Sequence, residues 1–493
     1  MRFRAVALQA LIAGILICQV LRSPLAEERE IEITGLPVPT MSSFDSVVAN
    51  LMVKYSIPGG ALAVAKDGRL VLAHGYGSAD LDLRQLVQPN SLFRIASISK
   101  PITAVTILKL VEERRLDLDS KAFLILDNLK PKTGVEVDPR IWNLTIRQLL
   151  QHSGGWDRNR SFDPMFMPQK AAAAVGAPAP ASCETVIRYM FTQPLDFDPG
   201  TRYVYSNFGY CVLGRIIERV SGQNYEEYVR THVLEPMGIT AMRIGHSLLE
   251  DRAENEVHYY DFSGAPPVLS IFSTEKEIVP WPYGGFYLEA MDSHGGWIAS
   301  ASDLVRFVVS VDGRRAPPFL RPDTVEVMIS RPPPPLWVGT SYWYGMGWFV
   351  RPIHGNEADW WHTGSLPGTS ALLVRTHHGL AWAALFNSRP THPAERDFIG
   401  ELDNSLWLIQ SEVTVWPSHD LFATPRGTSE MATITTWANP SPTMLVATGT
   451  RQTEATRVGQ TQVTAGAFTV QMLVIGSVAF AAALTGVFLR RRS

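Results

Sequence analysis

Ser97-Ile98-Ser99-Lys100 places a hydroxyl and an amine three residues apart. On a helix that is about one turn, so the amine can reach the oxygen. A serine attacks an acyl carbon at neutral pH only if a base takes its proton, and a lysine can do so once burial keeps it unprotonated. Ser-x-x-Lys alone is a weak signal, because Ser273-Thr274-Glu275-Lys276 matches it too. Context separates the two. Ile98 to Arg114 reads as a helix whose stripe of Ile102, Val105, Leu108, Leu110 and Val111 would bury Lys100, with Pro101 in the first turn, where a missing N–H costs little. Ser273 lies in a charged stretch that would leave Lys276 solvated and protonated.

Acyl transfer also needs a group that relays the proton to the leaving atom. Tyr205-Ser206-Asn207, the one Tyr-x-Asn of the chain, precedes a helical pattern. A third requirement is a strand with a hydroxyl and a glycine, along which substrate can lie while a backbone N–H faces the carbonyl oxygen. Lys132-Thr133-Gly134 fits by residue type but comes before Tyr205 in a Pro- and Asp-rich loop. His362-Thr363-Gly364 follows Asp359-Trp360-Trp361 and precedes Ser365 and a strand-like run, so it is preferred on order and context. The N–H groups of Ser97 and Ser365 would then form the oxyanion hole.

These groups need a scaffold. Ser43 to Tyr55 is expected to be helical, and Gly60 to Tyr76 to form two strands joined at Lys66-Asp67-Gly68, an Asp-Gly hairpin signal. Further helices are expected at Ile146 to Gln151, Glu184 to Phe191, Asn207 to Ser221, Tyr225 to Leu234 and Ser302 to Val311. Strands return around Tyr342 to Val350, Asp359 to Thr363, Ser370 to Thr376 and Leu380 to Asn387. Strands at both ends of a helical middle imply an antiparallel sheet closed by the two chain ends. The aromatic clusters at Trp360-Trp361 and Tyr342 to Tyr344 read as core.

In this order the three motifs resemble those of the serine β-lactamase and penicillin-binding protein superfamily, and more narrowly its class C β-lactamase-related branch of esterases, D-aminopeptidases, carboxypeptidases and lactamase-like peptidases. Further landmarks are Phe93-Arg94-Ile95-Ala96, Leu149 to Gly154, Pro199-Gly200, Gly295-Gly296-Trp297 with Ser302-Asp303-Leu304, and Tyr344 to Trp348. Together they cover about residues 42 to 412. The resemblance implies an α+β, β-lactamase/transpeptidase-like fold: an antiparallel sheet flanked by helices, plus a mostly helical domain, with the serine between them. It implies Ser97, Lys100 and Tyr205 as catalytic groups, and Asn207, His362, Thr363, Gly364 and Ser365 as substrate and oxyanion groups. No cofactor or metal is expected, and the histidines show no metal-ligand spacing. The family often has Lys where this chain has His362. A mostly neutral imidazole holds a carboxylate weakly, so esters, amides and peptides are expected ahead of β-lactams. The alternative is a non-catalytic, penicillin-binding-protein-like receptor for peptide or cell-wall fragments, which the intact Ser97, Lys100 and Tyr205 oppose.

Composition excludes other classes. With 44 basic and 47 acidic residues among 493, the formal charge of -3 gives no footprint for nucleic acid. Only 18% of residues are charged while 46% are hydrophobic, and the ends account for much of the excess. Arg2 and Arg4 precede the uncharged Ala5 to Leu21, and Leu25-Ala26 then meets an acidic run, a signal-peptide pattern over residues 1–26. Ala467 to Leu489 carries no charge over 23 residues, about 34 Å as a helix, and Arg490 to Arg492 follow. We therefore expect a hydrolase body at 42–415, a Thr-rich linker at 416–466, a transmembrane helix at 467–489 and a cytoplasmic tail at 490–493, with the body exported. Three cysteines permit at most one bridge, and Cys183 with Cys211 is a candidate in an oxidising compartment. The sequence leaves the oligomeric state open.

Overall fold

The computed structural model describes residues 31–131, 134–355, 357–391, 394–423 and 435–437. Its centre is a ten-stranded antiparallel sheet. In chain order the strands of its main path are β1 (Ile31–Gly35), β2 (Gly59–Lys66), β3 (Arg69–Asp80), β4 (Trp343–Tyr344), β5 (Phe349–Pro352), β6 (Ala358–Leu366), β7 (Thr369–Arg375), β8 (Leu380–Phe386) and β9 (Thr435–Trp437). Their order in space is β4-β5-β6-β7-β8-β2-β3-β1-β9, with Gln85–Leu86 added beside β3. The expected closure occurs at β8 and β2, which pair from Leu380 opposite Lys66 to Phe386 opposite Gly60. Asp67 and Gly68 at the β2–β3 turn both have positive φ, 50° and 76°, the backbone that an Asp-Gly hairpin requires.

Both faces of the sheet are covered, so its central strands are apolar on both sides. Leu62, Val64, Leu372, Val374, Trp382 and Phe386 pack beneath α1 (Ser42–Tyr55) and a C-terminal helix, Ala394–Ile409. Ala61, Ala63, Ala65, Ala371, Ala381 and Ala383 point the other way into the larger core, which also takes in Leu304, Val308 and Val311 from Ala301–Val311. Alanines on that face let this helix lie close to the sheet.

The helical half contains α2 (Ser99–Glu112), α3 (Ile146–Leu150), α4 (Cys183–Met190) and α5 (Asn207–Ser221). A Thr145/Gln148 capping box starts α3, and Ser182 and Ser206 cap α4 and α5. Cys183 and Cys211 are joined in a disulfide that ties α4 to α5 one turn beyond Asn207.

Ordered contacts reach past both ends of the expected 42–415 body. β1 pairs with β3, and β9 pairs with β1 from inside the expected linker. Pro417 to Ala423 is also held: Arg69 donates to the Pro417 carbonyl at 3.1 Å, the Leu70 N–H donates to Asp420 at 3.0 Å, and Phe422 is buried. Threonine-rich composition cannot separate a tether from an edge strand, because threonine suits both. The signal-peptide segment and Ala467 to Leu489 lie outside the described residues. Among the described residues no helix is long and apolar enough to cross a membrane.

Candidate active site

Ser97 sits in a tight turn, Ala96–Ile98, that feeds directly into α2. The preceding residue, Ala96, has a φ of 48°. A non-glycine residue in that region costs about 1–2 kcal/mol, and surrounding packing has to hold it there. The Ala96 methyl is enclosed by Phe286, Leu288, Met291 and Leu366. The turn therefore aims the Ser97 side chain away from this small core and towards Lys100.

The Lys100 side chain is fully buried. Its Nζ lies 3.1 Å from Ser97 Oγ, 2.8 Å from Asn207 Oδ1 and 2.9 Å from the His294 carbonyl oxygen. A neutral amine satisfies this arrangement: two N–H donate to Asn207 and His294, and the lone pair accepts the Ser97 O–H. Burial pushes the amine well below its usual range. The Arg158 charge adds to that push, and the Asp163 carboxylate opposes it.

Asn207 is presented by the N-terminus of α5 and donates Nδ2 to Asp163 Oδ2 at 2.7 Å, so its oxygen is left facing Lys100. The Tyr205 ring lies 4.6 Å from Lys100 Nζ. Desolvation raises its phenol, and a hydrogen bond with Ser97 partly offsets the rise. Tyr205 is thus a protonated phenol at neutral pH, suited to giving a proton.

His362, Thr363, Gly364 and Ser365 lie in sequence on β6. The neighbour β5 pairs with β6 only through Trp361, opposite Phe349, and leaves the strand edge beyond it without a paired strand among the described residues. A Cβ built on Gly364 would stand 2.2 Å from the Ile95 carbonyl oxygen, so only glycine lets β6 approach the nucleophile turn. Thr363 is half-buried and Ser365 exposed.

His362 departs from the expected substrate-facing imidazole, for its side chain is buried. The Thr363 carbonyl can only accept, so Nδ1 donates to it at 2.7 Å and Nε2 accepts from the Tyr344 hydroxyl at 3.1 Å. Burial is the main cause that pushes the imidazole down to about 3, and a proton on Lys100 would push it the same way. His362 is neutral, and both its nitrogens are in use.

Four residues around this site have no assigned role in the sequence reading. His152 accepts the Ser206 N–H on Nδ1 at 3.1 Å, and its ring lies tilted at 4.3 Å from Tyr205 and 4.6 Å from Tyr344. Its turn is fastened to the Tyr205 segment by the Val204 N–H, which donates to the His152 carbonyl at 2.8 Å. Tyr344, read as core, is core by burial and also donates its hydroxyl to the Nε2 of His362, which the Thr363 carbonyl leaves as the acceptor nitrogen. Asp163 and Arg158 come from the loop after Gly154-Gly155-Trp156, where only order in the chain hints at proximity. The competing motifs fall elsewhere. Lys276 is exposed, Gly134 has open space around it, and Lys132 and Thr133 lie outside the described residues. Arg94, a landmark, is structural: it donates to the Pro282 and His246 carbonyls and stacks on Tyr259.

A serine against a desolvated amine, an Asn that orients the amine, a protonated Tyr and an open strand edge form the arrangement that acyl transfer through a serine requires. Residues 44–403 match the Beta-lactamase family model, and the chain belongs to that family. It is 28% identical over 324 residues to penicillin-binding protein 4* of Bacillus subtilis, covering 64% of this chain and 65% of the relative. A probable fimbrial assembly protein FimD, serogroup H1, of Dichelobacter nodosus is 30% identical over 223 residues, 45% of this chain and 49% of that protein. The chain thus spans about half to two-thirds of these relatives. Among solved structures, the octameric penicillin-binding protein homologue from Pyrococcus abyssi superposes with a TM-score of 0.56 at 25% identity, covering 75% of this chain and 77% of that one.

Proposed function

We propose that this protein is an exported, membrane-anchored hydrolase that cleaves an ester, or an amide or peptide of the D-amino-acid type, through an acyl-serine. The observation that carries the reading is the 3.1 Å contact between Ser97 Oγ and a Lys100 amine kept dry and depressed. Lys100 takes the Ser97 proton as Oγ attacks the acyl carbon. The N–H groups of Ser97 and Ser365 hold the oxyanion, a contribution of about 3–4 kcal/mol per donor in such sites. Tyr205 gives its proton to the leaving group and recovers one from Lys100. Water then enters by the same route in reverse, and the free acid leaves.

The neutral, fully engaged His362 supports esters and amides over β-lactams, whose carboxylate wants a cation on this strand. Purified protein should hydrolyse a p-nitrophenyl ester or a D-amino-acid p-nitroanilide with a kcat/KM at least about tenfold above that for a chromogenic cephalosporin. The reverse order would sink the ranking, and no turnover of any of them beside tight peptide binding would favour the receptor reading.

The Cys183–Cys211 disulfide supports export, since such bridges persist in oxidising compartments. The pattern at 1–26 and the span at 467–489 support an anchored body outside the cytoplasm. Externally added protease should digest the body on intact cells and leave it with the membrane fraction before digestion. Release without detergent would remove the anchor from the proposal.

A further inference from the structure

Among the described residues, Lys100, His362 and Arg158 are cationic or potentially cationic side chains near the reacting atoms, beside a His152 imidazole that burial pushes well below its usual range, and the first two of the three are already committed. Lys100 is buried, with Ser97, Asn207 and His294 around its amine. His362 is neutral and bonded through both nitrogens. The third, Arg158, is a permanent cation on the loop that follows Gly154-Gly155. Its guanidinium carbon lies 5.5 Å from the centre of the Tyr205 ring, and its side chain keeps 17% exposure.

Asp163 is its ion-pair partner among the described residues, but at 3.7 Å, beyond hydrogen-bond reach. The carboxylate is also occupied, since Oδ1 accepts the Met165 N–H at 3.2 Å and Oδ2 accepts Asn207 Nδ2 at 2.7 Å. Among the described residues Arg158 is therefore anchored by charge, with none of its planar array of five N–H donors in a hydrogen bond. That array matches a carboxylate, which it can hold through two parallel hydrogen bonds.

We propose that Arg158 determines specificity by binding a carboxylate of the substrate, carried within reach of Tyr205 on either the acyl or the leaving half of the scissile bond. This rests on the acyl-serine reading. It assigns to the Tyr205 and Asn207 side of the cleft the anion recognition that His362 on β6 cannot provide. The Arg158 charge then has two effects: it attracts an acidic substrate, and it disfavours a second proton-bearing cation at Lys100.

The test compares three chromogenic esters on the full-length protein: neutral p-nitrophenyl butyrate, anionic mono-p-nitrophenyl glutarate, and the butyrate ester of 4-hydroxy-3-nitrobenzoate. The first anion lies in the acyl half and the second in the leaving half, so the preferred ester locates the recognised carboxylate. Wild type should favour one anionic ester over the neutral one. With each enzyme assayed above its own rising limb, where Lys100 is neutral with or without the Arg158 charge, Arg158→Gln should lower the ratio of kcat/KM for that ester to kcat/KM for the neutral ester about tenfold or more, and Arg158→Lys should restore part of the preference.

Equal losses for charged and neutral esters would reduce Arg158 to a structural role and overturn the inference. So would a wild type with no charge preference, or a preference lost instead on Arg389→Gln, the arginine 3.5 Å from Ser365 Oγ at the other end of the strand. Affinity is read separately on Ser97→Ala protein by calorimetry with the same esters, with and without Arg158→Gln. If no ester turns over and Ser97 takes no label, the acyl-serine reading fails. The Arg158 inference then survives only if the anionic ester binds Ser97→Ala at least about tenfold more tightly than the neutral one and Arg158→Gln removes the difference.

Discussion

Ser97→Ala is expected to lower ester turnover by about 10⁴-fold or more and to abolish covalent labelling by a fluorophosphonate, with the fold unchanged. The acyl-enzyme route disappears with its only attacking oxygen, and what remains is binding and oxyanion stabilisation around a water with no fixed attack geometry. The structural cost is small. The Ser97 side chain is linked through Lys100 Nζ, and that amine retains Asn207 Oδ1 at 2.8 Å and the His294 carbonyl at 2.9 Å. A lost hydrogen bond of this kind costs about 1 kcal/mol, so the melting temperature should fall by only a few degrees. Equal labelling of wild type and Ser97→Ala would show that another residue is the nucleophile.

The second large effect is at Lys100, where removal and charge can be separated. Lys100→Met keeps most of the volume without a base and should cost about 10³-fold or more in kcat. Lys100→Arg keeps a cation but cannot offer a lone pair near neutrality, so it should be about as inactive. A largely active Lys100→Arg would show that a fixed positive charge is what matters and would end the base assignment.

The pH dependence follows with a definite sign. The neutral amine is the active form, so kcat/KM rises as pH rises through the Lys100 pKa. Burial, the main cause, and the Arg158 charge lower that pKa, which brings the rising limb below the ordinary lysine range near 10.4. His362 adds no limb near 6.5, because burial holds it neutral down to about 3. A limb remaining near pH 10 would mean that the amine is solvated in the working enzyme.

Much of this was legible in the chain. The 3.6-residue stripe after Ser97 fixed α2 and committed Lys100 to the interior, since an apolar helix face buries whatever polar residue lies on it. Asp67-Gly68 set the hairpin because few residue pairs accept two positive φ values, and Ser206 set the start of α5 because an N-terminal N–H needs an acceptor. These are local rules, with partners within a few residues. Helix context likewise separated Ser97 from Ser273, and motif order together with context separated His362 from Lys132.

What tertiary structure alone decided is which group faces which. His362 lies on β6 as the sequence implies, yet its neutrality depends on burial created by the packed sheet, and Tyr344, which donates to its Nε2, approaches from another strand. Arg158 and Asp163 carry no periodic signal, and they meet Tyr205 and Asn207 because the loop after α3 folds back over the start of α5. Thr435 to Trp437 joins β1 because that sheet edge offered unpaired N–H and C=O groups. Hydrogen-bond satisfaction and desolvation between distant segments are properties of three-dimensional packing, and a one-dimensional pattern does not contain them.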